Sequence, residues 1–122
     1  MHYYLKSKNI FIGDTNEAVP AILEIKDGVI VNRLDYNTTL VGEVTDVGDQ
    51  LVTPGFIDAH VHWREPGFSK KETVFTASRA AARGGFTTVM TMPNLNPVPD
   101  SLETLNKQLE IIEKDSVIRA IP

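Results

Sequence analysis

Thr53-Pro54-Gly55-Phe56-Ile57-Asp58-Ala59-His60-Val61-His62-Trp63-Arg64-Glu65-Pro66-Gly67 is the stretch on which the reading of this 122-residue chain turns. A Pro-Gly break leads into alternating apolar and polar residues, and a second Pro-Gly closes the stretch. Side chains on a strand alternate with a period of two. Asp58, His60 and His62 are therefore expected on one face, with Ile57, Ala59 and Val61 on the other. Two imidazoles two residues apart can converge on one cation, and their neutral nitrogens suit Zn²⁺ or another transition metal. A bare His-x-His also arises by chance, each ring bonding to backbone. An acidic neighbour on the same face and a polar loop directly afterwards favour the ligand reading. Asp58 itself has two readings, orienting a ligand histidine or stabilising the start of the strand.

Downstream of this strand, Ser69-Lys70-Lys71-Glu72 fits a capping box with Ser69 as N-cap. The helix it opens carries Val74, Ala77 and Ala81 at helical spacing and stops at Gly84-Gly85. Phe86 to Met92 reads as a second strand. Asp100-Ser101-Leu102-Glu103 starts a second helix with Asp100 as cap. Leu102, Leu105, Leu109 and Ile112 form one apolar stripe on it, and Leu102, Leu105 and Leu109 are expected in the core. Lys107, Glu110 and Glu113 are its solvated side. Val117 to Ile121 is a third strand. Strand and helix alternate through short connections, the rhythm of a parallel sheet. In such a sheet the loops after the first two strands share the C-terminal edge, where sites collect. Those loops carry Arg64, whose guanidinium suits a carboxylate in bidentate geometry, and Asn94 in Met92-Pro93-Asn94-Leu95-Asn96-Pro97. Taken singly, Arg64 could pair with Glu65 and Asn94 could be turn chemistry.

Before Pro54 the pattern is different. Asn9 to Ile12 ends at Gly13-Asp14. Ala21 to Ile25 and Val29 to Leu34 flank Asp27-Gly28, a strong hairpin signal because a two-residue turn needs positive φ. Glu43 to Val47, ending at Gly48, is a further pairing candidate. These segments predict a small antiparallel sheet wetted on one side. About fifty such residues make a poor independent core.

The composition narrows the classes of function. Twelve basic against sixteen acidic residues give a net charge of −4, which argues against a general nucleic-acid or anionic-membrane binder. No apolar run approaches the roughly 20 residues of a membrane span, and the start lacks signal-peptide features. A cytoplasmic protein is expected. With no cysteine, any metal must be held by histidines and carboxylates.

Pro54 to Gly67 resembles the opening strand of the metal-dependent amidohydrolases, and within them the dihydroorotase family. Three pieces carry the resemblance. They are His60-Val61-His62-Trp63-Arg64-Glu65-Pro66-Gly67, then Lys71-Glu72-Thr73 with Ser78 to Val89, and Met92-Pro93-Asn94. Allantoinase and dihydropyrimidinase share the two histidines but look different at Arg64 and usually at Asn94. The resemblance implies an α/β fold. Residues 54–122 would form the first βαβαβ portion of a (β/α)₈ TIM-type barrel. Residues 1–53 would be the N-terminal part of a small domain, an antiparallel β-sandwich segment. The implied reaction is reversible hydrolysis of the ring amide of dihydroorotate to N-carbamoyl-aspartate, a step of pyrimidine synthesis.

Carried over by position, the resemblance makes His60 and His62 metal ligands, with Arg64 and Asn94 binding the substrate carboxylate. The cofactor would be Zn²⁺, one or two ions per complete site, or another divalent metal. Trp63 stands where the family has Leu and is read as packing. The remaining ligands and the general base lie on later strands of the family, so no catalytic residue is assigned here. His2, at the terminus, is set aside. The chain is expected to be a fragment that binds metal weakly and does not turn over substrate alone. Its exposed strand edges and helix faces lead us to expect a homo-oligomer. The readings weighed against this one are another cyclic amidohydrolase and a catalytically dead scaffold that partners aspartate transcarbamoylase. Retention of His60, His62, Arg64 and Asn94 argues against the scaffold.

Overall fold

The computed structural model describes residues 1–13 and 16–122, in two compact units, Met1–Pro54 and Gly55–Pro122. Asp14 of the expected Gly13-Asp14 turn lies outside the described residues.

The first unit is a five-stranded sheet of β1 (His2–Ile10), β2 (Val19–Lys26), β3 (Val29–Asp35), β4 (Glu43–Asp46) and β5 (Leu51–Val52). Its order is β3-β2-β1-β4, with β5 also pairing β1. The β2–β3 hairpin forms where Asp27-Gly28 places it, with φ of 50° and 78° at those two residues. The all-antiparallel sandwich expected from the sequence is corrected to a mixed sheet, because β4 and β5 run parallel to β1. A parallel pair needs a crossover rather than a hairpin. Residues 36–42 make it, carrying the chain from β3 past β2 to the far side of β1. The first strand also begins at His2 rather than Asn9. Its alternation is hidden in the sequence because a polar residue, Ser7, is buried and donates its hydroxyl to Gln50 O at 2.6 Å.

Ile10, Ala21, Leu23 and Ile25 form the core of this unit, with Leu5, Ile12 and Val52 against them. His2 is not idle, since its Nε2 lies 3.0 Å from Glu24 Oε1. Asn32 donates to Glu24 Oε2 at 2.6 Å, and Lys26 Nζ lies 2.9 Å from Oε1. The Asn32 bond first, and then Lys26, hold the Glu24 carboxyl down to about 2 against the opposing effect of burial.

The second unit contains β6 (Phe56–Val61), α1 (Val74–Arg83), β7 (Phe86–Thr91), α2 (Leu102–Asp115) and β8 (Arg119–Ile121). The sheet order is β6-β7-β8, all parallel. Trp63, Val74, Ala77, Val89 and Ile112 form its core, so Trp63 packs as expected. The third strand starts at Arg119, two residues later than read, after Val117 N donates to the buried Ser78 hydroxyl at 3.2 Å.

Both helix starts are corrected. For α1 the N-cap is Thr73, closing a box with Thr76, not Ser69 with Glu72. Ser69 to Lys71 are held in a turn instead, with Lys71 N donating to Phe68 O at 2.8 Å. The Glu65 carboxylate then accepts from Val74 N at 2.7 Å, satisfying a first-turn donor of the helix. For α2 the cap is Ser101, boxed with Thr104, one residue after Asp100.

The stripe of α2 is also rotated from its expected position. Leu102 is 79% exposed and Leu109 40%, and Leu105 is half-buried, whereas Gln108 is 2% exposed. The face packed inward centres on Gln108 and Ile112. Thr91 on β7 offers Gln108 a hydroxyl partner, with Nε2 donating to Oγ1 at 3.0 Å. Counting apolar residues alone cannot see that pairing.

Gln108 Oε1 has no hydrogen-bond partner among the described residues. Thr91→Val strips the amide of its one side-chain bond and is expected to cost about 1–3 kcal/mol, whereas replacing both partners is nearly neutral. Denaturant midpoints should therefore fall for Thr91→Val and recover in Thr91→Val/Gln108→Met. Glu24 has its folded pKa below the unfolded value, so its stabilisation is present above about 4.5 and is lost as pH falls toward about 2. The difference in thermal midpoint between wild type and Glu24→Gln should shrink across that window.

Candidate metal centre

The two histidines leave the C-terminal end of β6 with their rings together. His60 Nε2 and His62 Nε2 are 3.3 Å apart, and the ring planes cross at 72°. Strict alternation does not explain this alone. The ladder pairs Asp58 with Val89 and Val61 with Thr91, so β6 spends three steps where β7 spends two. One extra residue therefore sits between Asp58 and Val61, as in a β-bulge, a feature that re-aims side chains at strand ends. In parallel pairing, register partners share a face, and Val89 and Thr91 are buried. Asp58 thus stands in the row of Val61, not in the row of the histidines, which corrects the expected shared face. Its Oδ1 accepts from His60 N at 2.9 Å, supplying a partner for that amide where the register shifts. Of its two readings, the contact seen is to the backbone of a histidine and not to a ring.

Asn94, in the loop after β7, faces the same pair. His62 Nδ1 and Asn94 Oδ1 are 2.8 Å apart, a bond in which the ring N–H donates and the amide oxygen accepts. The two loops are stitched together below it. Met92 N donates to Val61 O at 2.8 Å, Asn96 N donates to Pro66 O at 3.2 Å, and Leu95 is buried. Gly67 has φ of 99°, and a Cβ there would stand 2.3 Å from Asn96 O, so this approach demands glycine. The Glu65-Pro66 and Asn96-Pro97 peptides are both cis.

Arg64 is half-buried at the start of the first loop. The pairing with Glu65 is not formed, because the Glu65 carboxylate caps α1. Among the described residues the Arg64 guanidinium makes no hydrogen bond or ion pair. His60, His62 and Asn94 are thus joined by direct contacts, and Arg64 is tied to them only through the backbone of the loop. Sequence reasoning missed Glu65 as a cap and Gln108 as an anchor for β7. For Gln108 the available signal was a polar residue set among Leu105, Leu109 and Ile112.

The separation of the two Nε2 atoms bears on what they could hold. Zn–N bonds of about 2.0–2.1 Å in a tetrahedral site place neighbouring nitrogens about 3.3–3.4 Å apart. The observed 3.3 Å fits that edge. The Nδ1–H bond to Asn94 leaves the other His62 nitrogen with a free lone pair. The donors present therefore suit a divalent cation, with two of the three protein ligands usual in a catalytic zinc site. Among the described residues no group of three or more His, Cys, Asp or Glu side chains converges.

Known proteins place the chain in a family. Residues 48–122 match the family described as Dihydro-orotase-like. A dihydroorotase of Fusobacterium nucleatum is 74% identical over 93 residues, which are 75% of this chain and 22% of that protein. One of Enterococcus faecalis is 49% identical over 107 residues, 87% of this chain and 25% of the relative. Among solved structures, an L-hydantoinase (dihydropyrimidinase) from Arthrobacter aurescens superposes with a TM-score of 0.81 at 24% identity, covering 98% of this chain and 27% of that one. A D-hydantoinase from Thermus sp. gives 0.75 at 29% identity, over 97% and 26%. The chain spans about a quarter of the length of the curated relatives it matches. On the family match and these identities, the chain belongs to the dihydroorotase-like family.

Proposed function

We propose that this chain is the metal-binding opening portion of a dihydroorotase. The reaction is reversible hydrolysis of the ring amide of dihydroorotate to N-carbamoyl-aspartate. The observation that carries the proposal is the convergence of His60 Nε2 and His62 Nε2 at 3.3 Å at the end of a parallel strand. In this reading His60 and His62 hold the cation, zinc or another divalent metal. Bound there, it supplies Lewis acidity toward the amide carbonyl and toward water. Arg64 and Asn94 take the carboxylate of the ring substrate, Arg64 through its unengaged guanidinium and Asn94 through its amide nitrogen.

The proposal divides the chain into residues 1–53, part of a small β domain, and 54–122, the first βαβαβ portion of a (β/α)₈ barrel. The likeness in fold to an L-hydantoinase, at low identity, supports an amidohydrolase-type fold. Relatives about three and a half times as long support a polypeptide that supplies the further ligands and the general base elsewhere. Residues 1–122 alone are then expected to bind metal weakly and to lack turnover. The exposed Ile57, Met90 and Leu102 favour association with the rest of the barrel or with another copy.

Arg64 distinguishes dihydroorotase from a hydantoinase-type activity. A panel of dihydroorotate, dihydrouracil and hydantoin on the intact protein should show preference for the carboxylated ring. Arg64→Met should raise KM for dihydroorotate by at least tenfold and leave the uncarboxylated rings unaffected. Preference for hydantoin, or indifference of dihydroorotate to Arg64→Met, would contradict the assignment.

A further inference from the structure

We infer that Asn94 is a positioning residue for His62, fixing the ring tautomer through Oδ1 while leaving its amide NH₂ free for the substrate. The inference rests on the reading of His60 and His62 as a cation site. A histidine ring that presents Nε2 to a cation must carry its proton on Nδ1. Imidazole ligands are commonly held that way by a partner accepting the Nδ1 proton, and loss of such a partner typically costs about 10- to 100-fold in metal affinity. The usual acceptors are carboxylates and backbone carbonyls.

Here the acceptor is an amide oxygen 32 residues away in sequence and 2.8 Å away in space. Asp58, the carboxylate two residues before His60, bonds the His60 backbone amide through Oδ1 and neither imidazole ring. Among the described residues, no other side chain hydrogen-bonds either ring.

The choice of amide over carboxylate has a chemical consequence. An amide presents an acceptor on one side and two donors on the other. With Oδ1 turned to His62, the donors face away from the ring. Aspartate at this position would accept the Nδ1 proton equally well but would set a negative charge against an anionic ligand. Asn94 therefore joins two tasks that the two substitutions Asn94→Asp and Asn94→Ala separate. Its position is held by buried Leu95 and by the Asn96 N to Pro66 O bond, neither of which uses the Asn94 side chain.

The test uses the intact protein, prepared metal-free, with ring ¹⁵N shifts of His62 read by long-range ¹H–¹⁵N correlation above the imidazole titration range. Zinc affinity is measured in parallel by competition with a chromophoric chelator. Wild type and Asn94→Asp should both show His62 protonated at Nδ1, with zinc affinities within about threefold of each other. Asn94→Ala should shift His62 toward the Nε2-protonated form and weaken zinc binding by about 10- to 100-fold. Asn94→Asp should separately raise KM for dihydroorotate while keeping its zinc. An Nε2-protonated His62 in wild type, or a tautomer and zinc affinity unchanged in Asn94→Ala, would overturn the inference. A protein that follows the predicted tautomer and zinc pattern yet hydrolyses no dihydroorotate would retain the positioning role and lose the dihydroorotase reading.

Discussion

One extra residue in β6 sets the geometry of the site. Between the Asp58–Val89 and Val61–Thr91 pairs the two strands fall out of step by one. Downstream of that shift Val61 and Trp63 pack against the helices. The histidines that alternate with them bring their Nε2 atoms to 3.3 Å. The Asp58 carboxylate meets the amide exposed by the shift, so the bulge carries its own satisfaction of a backbone donor. Without it, the same sequence in unbroken register would put the Asp58 row and the histidine row on one face and lose the packing of Val61.

The second requirement is that the loop after β7 reach the loop after β6. Backbone bonds from Met92 and Asn96, burial of Leu95 and the close approach at Gly67 fix that distance. Behind β7, Gln108 ties α2 to Thr91, the last residue before the loop. Glu65 ties the other loop to the start of α1. His60 thus sits at the end of β6 and His62, Arg64 and Asn94 on two short loops, each bonded to a helix start or a strand end. Sites held this way keep their geometry better than sites on free loops.

Much of this was legible in the residues. Asp27-Gly28 between β-branched runs and Gly84-Gly85 after a helix each have one strong local meaning, and the fold uses it. The errors share a physical origin. Ser69-Lys70-Lys71-Glu72 satisfies the capping pattern, yet Thr73 and Thr76 form the box, because the Glu65 carboxylate, nine residues earlier, meets Val74 N. The Leu102-Leu109 stripe is apolar, yet Gln108 takes the inward position because a threonine waits on the neighbouring strand. The parallel entry of β4 beside β1 depends on a crossover that no local pattern encodes. The register shift at Asp58 is likewise a property of two strands and not of one. The hairpin turn and the parallel strand–helix rhythm were readable, and strand register and side-chain partners between distant segments were not.

The central claim is that β6 delivers two imidazole nitrogens to one cation. X-ray absorption at the zinc edge of the zinc-loaded intact protein tests it most directly. The expected result is a first shell with nitrogen at about 2.0–2.1 Å and the outer-shell scattering of at least two imidazole rings. One ring's scattering should be lost in His60→Ala and one in His62→Ala. A shell of oxygen alone, or ring scattering that neither substitution diminishes, would contradict it.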